Sequence, residues 1–358
     1  MTTTSLRREL RKHLPEGALL PAPTRLLLIV PHLTLIPLLS IGMVYWVDWW
    51  PIRVLLSLIL GILYSSLFFF GHEVAHGSVV KSKALGDFLT YFTHGVFLVS
   101  PYFWRVWHNQ VHHGYTNRYG YDPDNYGTLH EYDSYMWTRL AIAFAPGSGR
   151  LISVLSLFTG FTMHAQGVLW VKSYRLRGSS RLRRWRAAVD SGLMLLFWCL
   201  VGVTLGPYLS LFVIIIPMMI ANFCIMSYIF TNHLLRPLGD INDPLKNSMG
   251  VTTLWILDKI NFHFSHHIEH HLFPSLSSQY YPILRERLSS SRHQEYLAPP
   301  HWRALLMVFR TPRIHDNSSN LVDPYRGISL PIKRVEAALC SSRAEGQTSE
   351  APEVYDVE

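Results

Sequence analysis

Residues 52–76 read IRVLLSLILGILYSSLFFFGHEVAH. The part from Ile52 to Phe70 is predominantly apolar and close to the ~20 residues that cross a hydrocarbon core about 30 Å thick. Only Gly71 separates it from His72-Glu73-Val74-Ala75-His76. A helix continuing through this point puts His72 and His76, at i and i+4, on one face. The stretch therefore implies a membrane-spanning helix that carries imidazoles at its end.

Working outward, three more runs have the length and apolarity of spans: 26–47, 187–205 and 208–230. The last two are parted by Gly206-Pro207. The composition agrees: 49% of the 358 residues are hydrophobic and 16% charged, against a usual quarter or so charged. With four spans, residues 1–25, the segment 71–186 and everything after 231 share one side. That side holds nearly all the Lys and Arg, while the other has Arg53. The positive-inside rule then places both termini and every histidine cluster in the cytoplasm. The run 151–171, which carries His164 and Gln166, is expected to be interfacial, because a crossing there would separate the clusters. The basic stretch 172–186 is expected at anionic headgroups, which accounts for the formal charge of +8 without nucleic acid. Residues 1–25 form a basic cytoplasmic segment with a short amphipathic helix, residues 26–312 the membrane domain, and 313–358 a disordered tail. The three cysteines suggest no disulfide framework.

The histidines number 19, and they cluster. After His72/His76 comes His108-x-x-x-His112-His113. His233 ends the fourth span. Asn261–Pro274, NFHFSHHIEHHLFP, holds two overlapping HxxHH readings, and as one helix it places His263, His267, His270 and His271 along one face. A lone HxxxH pair is weak, and HEVAH also satisfies the HExxH zinc-protease pattern. The joint occurrence of three clusters on one side is what favours a metal centre. A zinc site needs three or four ligands. Eight or nine imidazoles suit two metals, and iron suits O₂ chemistry on a lipophilic substrate.

HEVAH, HNQVHH and HIEHHLFP resemble the three histidine boxes of the membrane fatty acid desaturases, in order, with Tyr281-Pro282 and the HHGYTN…DPD segment (residues 112–124) also similar. The resemblance implies an all-α integral membrane fold of four transmembrane helices with a cytoplasmic helical cap carrying a di-iron site. It implies iron ligation by His72, His76, His108, His112, His113, His267, His270 and His271. Thr231-Asn232-His233 is similar to the position of a further ligand, making His233 the ninth and Asn232 a residue acting through water. His263, His266, Asp122, Asp124 and Glu269 are expected beside the ligands. The implied reaction is O₂-dependent insertion of a cis double bond into a fatty acyl chain, acyl-lipid rather than acyl-CoA or acyl-ACP, in a tunnel lined in part by Trp104, Trp107 and Trp255. No HPGG segment of a fused cytochrome b5 domain occurs, so electrons are expected from a separate ferredoxin or cytochrome b5-type donor, docking on a basic face that includes Arg181–Arg186, Arg285 and Arg287. The alternatives are a related di-iron hydroxylase or ketolase, or a zinc protein: an HExxH metalloprotease, or a histidine-rich metal transporter or receptor.

Overall fold

The computed structural model describes residues 2–173, 182–290, 295–316, 319–340 and 355–356. Its fold is that of an all-α membrane protein with a histidine-rich cluster. After helix α1 (Thr3–Arg11) and a 3₁₀ turn, α2 (Val30–Tyr45) runs to a short turn, and α3 (Trp50–Ala75) returns. Proline in the first turn of α3 costs no hydrogen bond there, and the helix continues without a break through the first histidine pair. Helix α4 (Lys83–His94) and a π-helical segment (Arg105–His112) follow. Then come α5 (Leu155–Trp170), α6 (Arg184–Ser210) and α7 (Ile216–His233).

Among the described residues, four helices are long and apolar enough to cross a membrane: Pro23–Tyr45, Trp50–Ala75, Leu151–Trp170 and Arg184–His233. The last contains two of the expected spans. Its helix breaks at Gly206, whose φ of 72° lies where glycine is comfortable. There the chain folds back, and the Ser210 hydroxyl bonds the carbonyls of Gly202 and Gly206 at 3.1 and 2.7 Å. Arg53 joins the two turns: it donates to the Met43 carbonyl at 3.2 Å and stacks over Tyr208 at 5.3 Å. Both turns therefore lie at one end of the bundle, and the histidine-bearing ends of α3 and α7 lie at the other.

The run 151–171 forms α5, which both ends tie to the cap. Arg326 donates to the Gly147 carbonyl just ahead of it, and Lys172 just after it donates to the carbonyls of Pro123 and Asn125 at 3.0 and 2.8 Å. Beneath the cap, Phe68 meets Phe97, Trp104 and Phe161 edge-on at 4.7–5.7 Å, the geometry aromatic rings prefer. Gly71 admits α4 against α3: a Cβ there would lie 1.9 Å from Thr93 Oγ1.

Two expectations change. Residues 314–316 and 319–340 take regular structure: an antiparallel meander of β1 (Ile314–His315), β2 (Asn320–Asp323) and β3 (Ile328–Pro331), joined by a fourth strand at Tyr355–Asp356, leads into a helix at Ile332–Cys340. Leu321, Leu330, Val335 and Leu339 are buried, so a hydrophilic average hid a sparse apolar set. Helix α1 is the short amphipathic helix expected, and its Leu6 and Leu10 pack with Ile268, Leu272 and Leu284. Finally, the third histidine stretch is not one helix. Phe262 and His263 adopt φ of 52° and 57°, and helix α8 spans only His267–Leu272.

Candidate metal centre

Four pieces of chain deliver the imidazoles. The last turn of α3 brings His72 and His76. The segment Arg105–His112 is π-helical, with i→i+5 bonding, and this wider turn lets positions four and five beyond His108 face opposite pockets. His113 turns with His108 to one, and His112 to the other. Helix α7 ends on His233, and α8 presents His267, His270 and His271.

All nine expected ligand residues come together, in two groups. His72, His76, His108, His113 and His270 form one. Its Nε2 atoms stand 3.0 Å apart for His72–His108, 3.2 Å for His108–His113 and 3.0 Å for His113–His270. His112, His233, His267 and His271 form the other, with Nε2 separations of 2.7 Å for His233–His267 and 3.0 Å for His267–His271.

The outward-facing nitrogens fix the tautomers. His233 Nδ1 lies 3.0 Å from the Asn247 carbonyl, which can only accept. The Thr116 hydroxyl donates to the His112 carbonyl at 2.7 Å, so it accepts from His271 Nδ1 at 3.2 Å. His112 Nδ1 faces Asp122 and Asp124 at 3.2 and 3.0 Å. His270 Nδ1 meets the Tyr281 hydroxyl at 3.0 Å. With Nδ1 carrying the proton, His112, His233 and His271 aim Nε2 lone pairs at one point. Such an arrangement suits a cation among them, and outward bonds of this kind are how metal-binding imidazoles are oriented. Burial, reinforced by neighbouring histidines, holds His108, His113, His267, His270 and His271 well below the ordinary imidazole range. They are neutral, as ligation requires. For His112 burial also pulls down, but the two aspartates outweigh it and raise it to about 10, so a metal on its Nε2 must displace the proton held there. The donor set fits two divalent metals.

The other expected residues divide. Asp122 and Asp124 do orient His112. Asn232 is fully buried beside His233, and among the described residues neither polar atom of its side chain has a hydrogen-bond partner. Glu269 turns away from the metal pockets to Tyr296 and Arg285, at 2.6 and 3.4 Å. His263 and His266 join Asp258 instead, at 2.7 and 3.4 Å, because the turn at Phe262–His263 takes them off the face of α8. Trp104 and Trp107 are buried, Trp104 stacking on His108 at 4.2 Å, whereas Trp255 is exposed. Arg285 is also turned inward, donating to the carbonyls of Val251 and Ser265. Arg181 lies outside the described residues.

Several partners had no local signal. His164, on α5, and the Trp107 indole both donate to Asp124, at 3.0 and 2.7 Å. Glu73, between the first two histidines, is held by Arg25 at 2.7 Å, by the Ser277 hydroxyl at 2.9 Å and by the Ser278 amide at 2.8 Å. Its carboxylate is fully engaged in joining the first and third clusters.

Comparison with known proteins adds two findings. The family model described as fatty acid desaturase matches residues 48–303, well over half of the chain and all four histidine-bearing pieces. The sn-1 acyl-lipid omega-3 desaturase (ferredoxin) of Synechocystis sp. is 32% identical over 100 residues. That match covers 28% of this chain and 28% of the relative.

Proposed function

This chain belongs to the fatty acid desaturase family, and we propose that it is an O₂-dependent desaturase placing a cis double bond in the acyl chain of a membrane lipid at a centre of two iron ions. One observation carries the reading: nine imidazoles converge in groups of five and four at the end of two apolar hairpins. The nine histidines would hold the ions, with Asn232 contributing through water to the four-histidine group. When bound, iron supplies the oxidising power from O₂ and two electrons that acid–base groups lack for removing hydrogens from two adjacent methylenes.

The protein's own residues position and exclude. A narrow cleft between Phe69, Phe262 and Phe264 reaches His72, His76 and His270. Its phenylalanine walls would keep bulk water from the ligands. Asp124, Thr116, Tyr281 and the Asn247 carbonyl hold ring orientations. The sidedness expected from the charge bias puts this end in the cytoplasm, where a soluble electron carrier can reach it. The relative's name specifies acyl-lipid and ferredoxin, and both are our choice for this chain. Exposed Arg11 on α1 and Lys12 just after it offer an acidic carrier a basic face in place of the inward-turned Arg285.

The bonding of Glu73 disfavours the zinc-protease reading, since a general base must reach water. A hydroxylase on the same scaffold differs in product: gain of an oxygen rather than loss of two hydrogens. Expression with a ferredoxin system, followed by fatty acid analysis of the membrane lipids, tests the proposal. A new double bond supports it. Unchanged lipids, or hydroxylated ones, overturn it.

A further inference from the structure

We propose that the N-terminal segment, residues 2–29, is a strap that positions the metal ligands, with Arg7 and Arg25 as its two positioning residues. The inference rests on the two-metal reading above. Helix α1 lies on the outer side of α8, with Leu6 and Leu10 buried against Ile268 and Leu272. Its apolar face is thereby used up, so α1 is not free to bury that face in a bilayer. From this seat Arg7 reaches the end of α8: Nε donates to the Leu272 carbonyl at 2.8 Å and Nη2 to the His271 carbonyl at 3.3 Å. A short helix leaves its last carbonyls unpaired, and a cation there both satisfies them and matches the helix dipole. The capped helix is the one that carries His267, His270 and His271, which serve both groups.

The strap then passes the first cluster. The Ala22 amide donates to the Ser78 carbonyl at 2.8 Å. Arg25 donates to Glu73 at 2.7 and 3.2 Å and to the Ser278 hydroxyl at 3.0 Å. Glu73 stands between His72 and His76 on α3, and Ser278 follows α8 in the chain. One continuous segment thus fastens α3 and α8, through the Glu73 carboxylate, the Ser278 hydroxyl and the last carbonyls of α8. Its role is to keep α3 and α8 at the separation two metals need.

The test uses the full-length protein in detergent, loaded with Fe(II), and follows loss of iron to a chelator. Arg7→Gln and Arg25→Gln are compared with wild type, with Arg7→Lys, and with Arg8→Gln on the exposed side of α1. Changes beside ligands commonly cost 10–100-fold in metal affinity, so each Gln variant should release iron at least about ten times faster. Arg7→Lys should recover part of this, and Arg8→Gln should match wild type. Co(II)-loaded Arg7→Gln should show altered ligand-field bands. Equal release rates and spectra, with only a lower Tm, make the strap merely structural and overturn the inference. A variant that fails to load is judged against Arg7→Lys: if that also fails while Arg8→Gln loads, cation capping by itself is refuted. Wild type binding fewer than two metals overturns the two-metal reading instead.

Discussion

Asp124 holds His112 by one carboxylate oxygen, 3.0 Å from Nδ1, while its other oxygen accepts from Trp107 and His164 at 2.7 and 3.0 Å. The aspartate is thus fixed by one side chain from the same π-helical segment as His112 and one from α5 before it fixes the ring.

Asp124→Asn keeps the shape but removes the charge and leaves an amide that can present N–H to His112. The expected result is a 10–100-fold loss in metal affinity or activity. His164→Ala, which removes one of the two donors to the other oxygen of Asp124, should cost much less. Iron content and turnover of the two variants check the order. A harmless Asp124→Asn would show that His112 needs no carboxylate.

His270 is expected to be indispensable, since its Nε2 stands with those of His72, His108 and His113. His270→Ala should abolish activity. Tyr281→Phe removes only the hydroxyl at 3.0 Å from Nδ1 and leaves a buried ring nitrogen without its partner, worth about 1–3 kcal/mol. It should lower metal affinity and leave the fold intact. Circular dichroism beside metal analysis separates the two effects.

These residues also show what was readable in advance. The i, i+4 spacing of His72 and His76 survives because a span helix runs straight through it, and His267, His270 and His271 lie on one short helix as their spacing implies. His233 was legible as the end of a span. The one-helix reading of residues 261–274, which puts His263 on the face of His267, His270 and His271, fails because two left-handed residues, Phe262 and His263, end the helical pattern and no glycine marks them. Thr116, Asn247, Tyr281, Arg7 and Arg25 act across long separations in the chain, and such contacts leave no local period. The π-helical turn at His108–His113, which sends His112 to one group and His108 and His113 to the other, is equally silent.

Acid should release the metals and then loosen the cap. His267, His270 and His271 have values held well below the ordinary 6.5, and in the cap His315 is lowered to about 4, chiefly by burial. Unfolded, each takes up a proton near 6.5; folded, each resists. Their neutral burial therefore costs nothing above the unfolded value, and stability is lost progressively as pH falls below it toward the folded values. From these groups Tm should decline from about pH 6.5 downward. A Tm that rises on acidification would contradict the neutral assignment.

Gly71→Ala is expected to disrupt the first cluster from below. The added Cβ would lie 1.9 Å from Thr93 Oγ1 and 2.5 Å from its Cβ, and Thr93 is itself fully buried. Overpacking of this kind costs about 1–3 kcal/mol and displaces backbone. Because His72 is the next residue, metal loading should fall together with Tm. Thr93→Gly in the same chain should restore part of both, which a general loss of stability would not do.

The C-terminal segment provides the last test, since a loose tail and a packed one respond oppositely to a single truncation. Leu339 is 1% exposed and Val335 2%, and the same helix places Glu336 2.5 Å from Arg236. Arg236 in turn donates to the carbonyls of Leu245 and Lys246 at 2.6 and 2.8 Å, in the loop whose Asn247 carbonyl orients His233. Leu339→Ala should therefore cost about 2–5 kcal/mol, as buried leucines do. Its effect should extend to metal affinity through this chain of contacts, whereas Glu336→Gln, on a partly exposed pair, should cost less. Thermal unfolding and iron content of the two variants decide it; an unchanged Leu339→Ala protein would return the segment to the disordered tail expected from its composition.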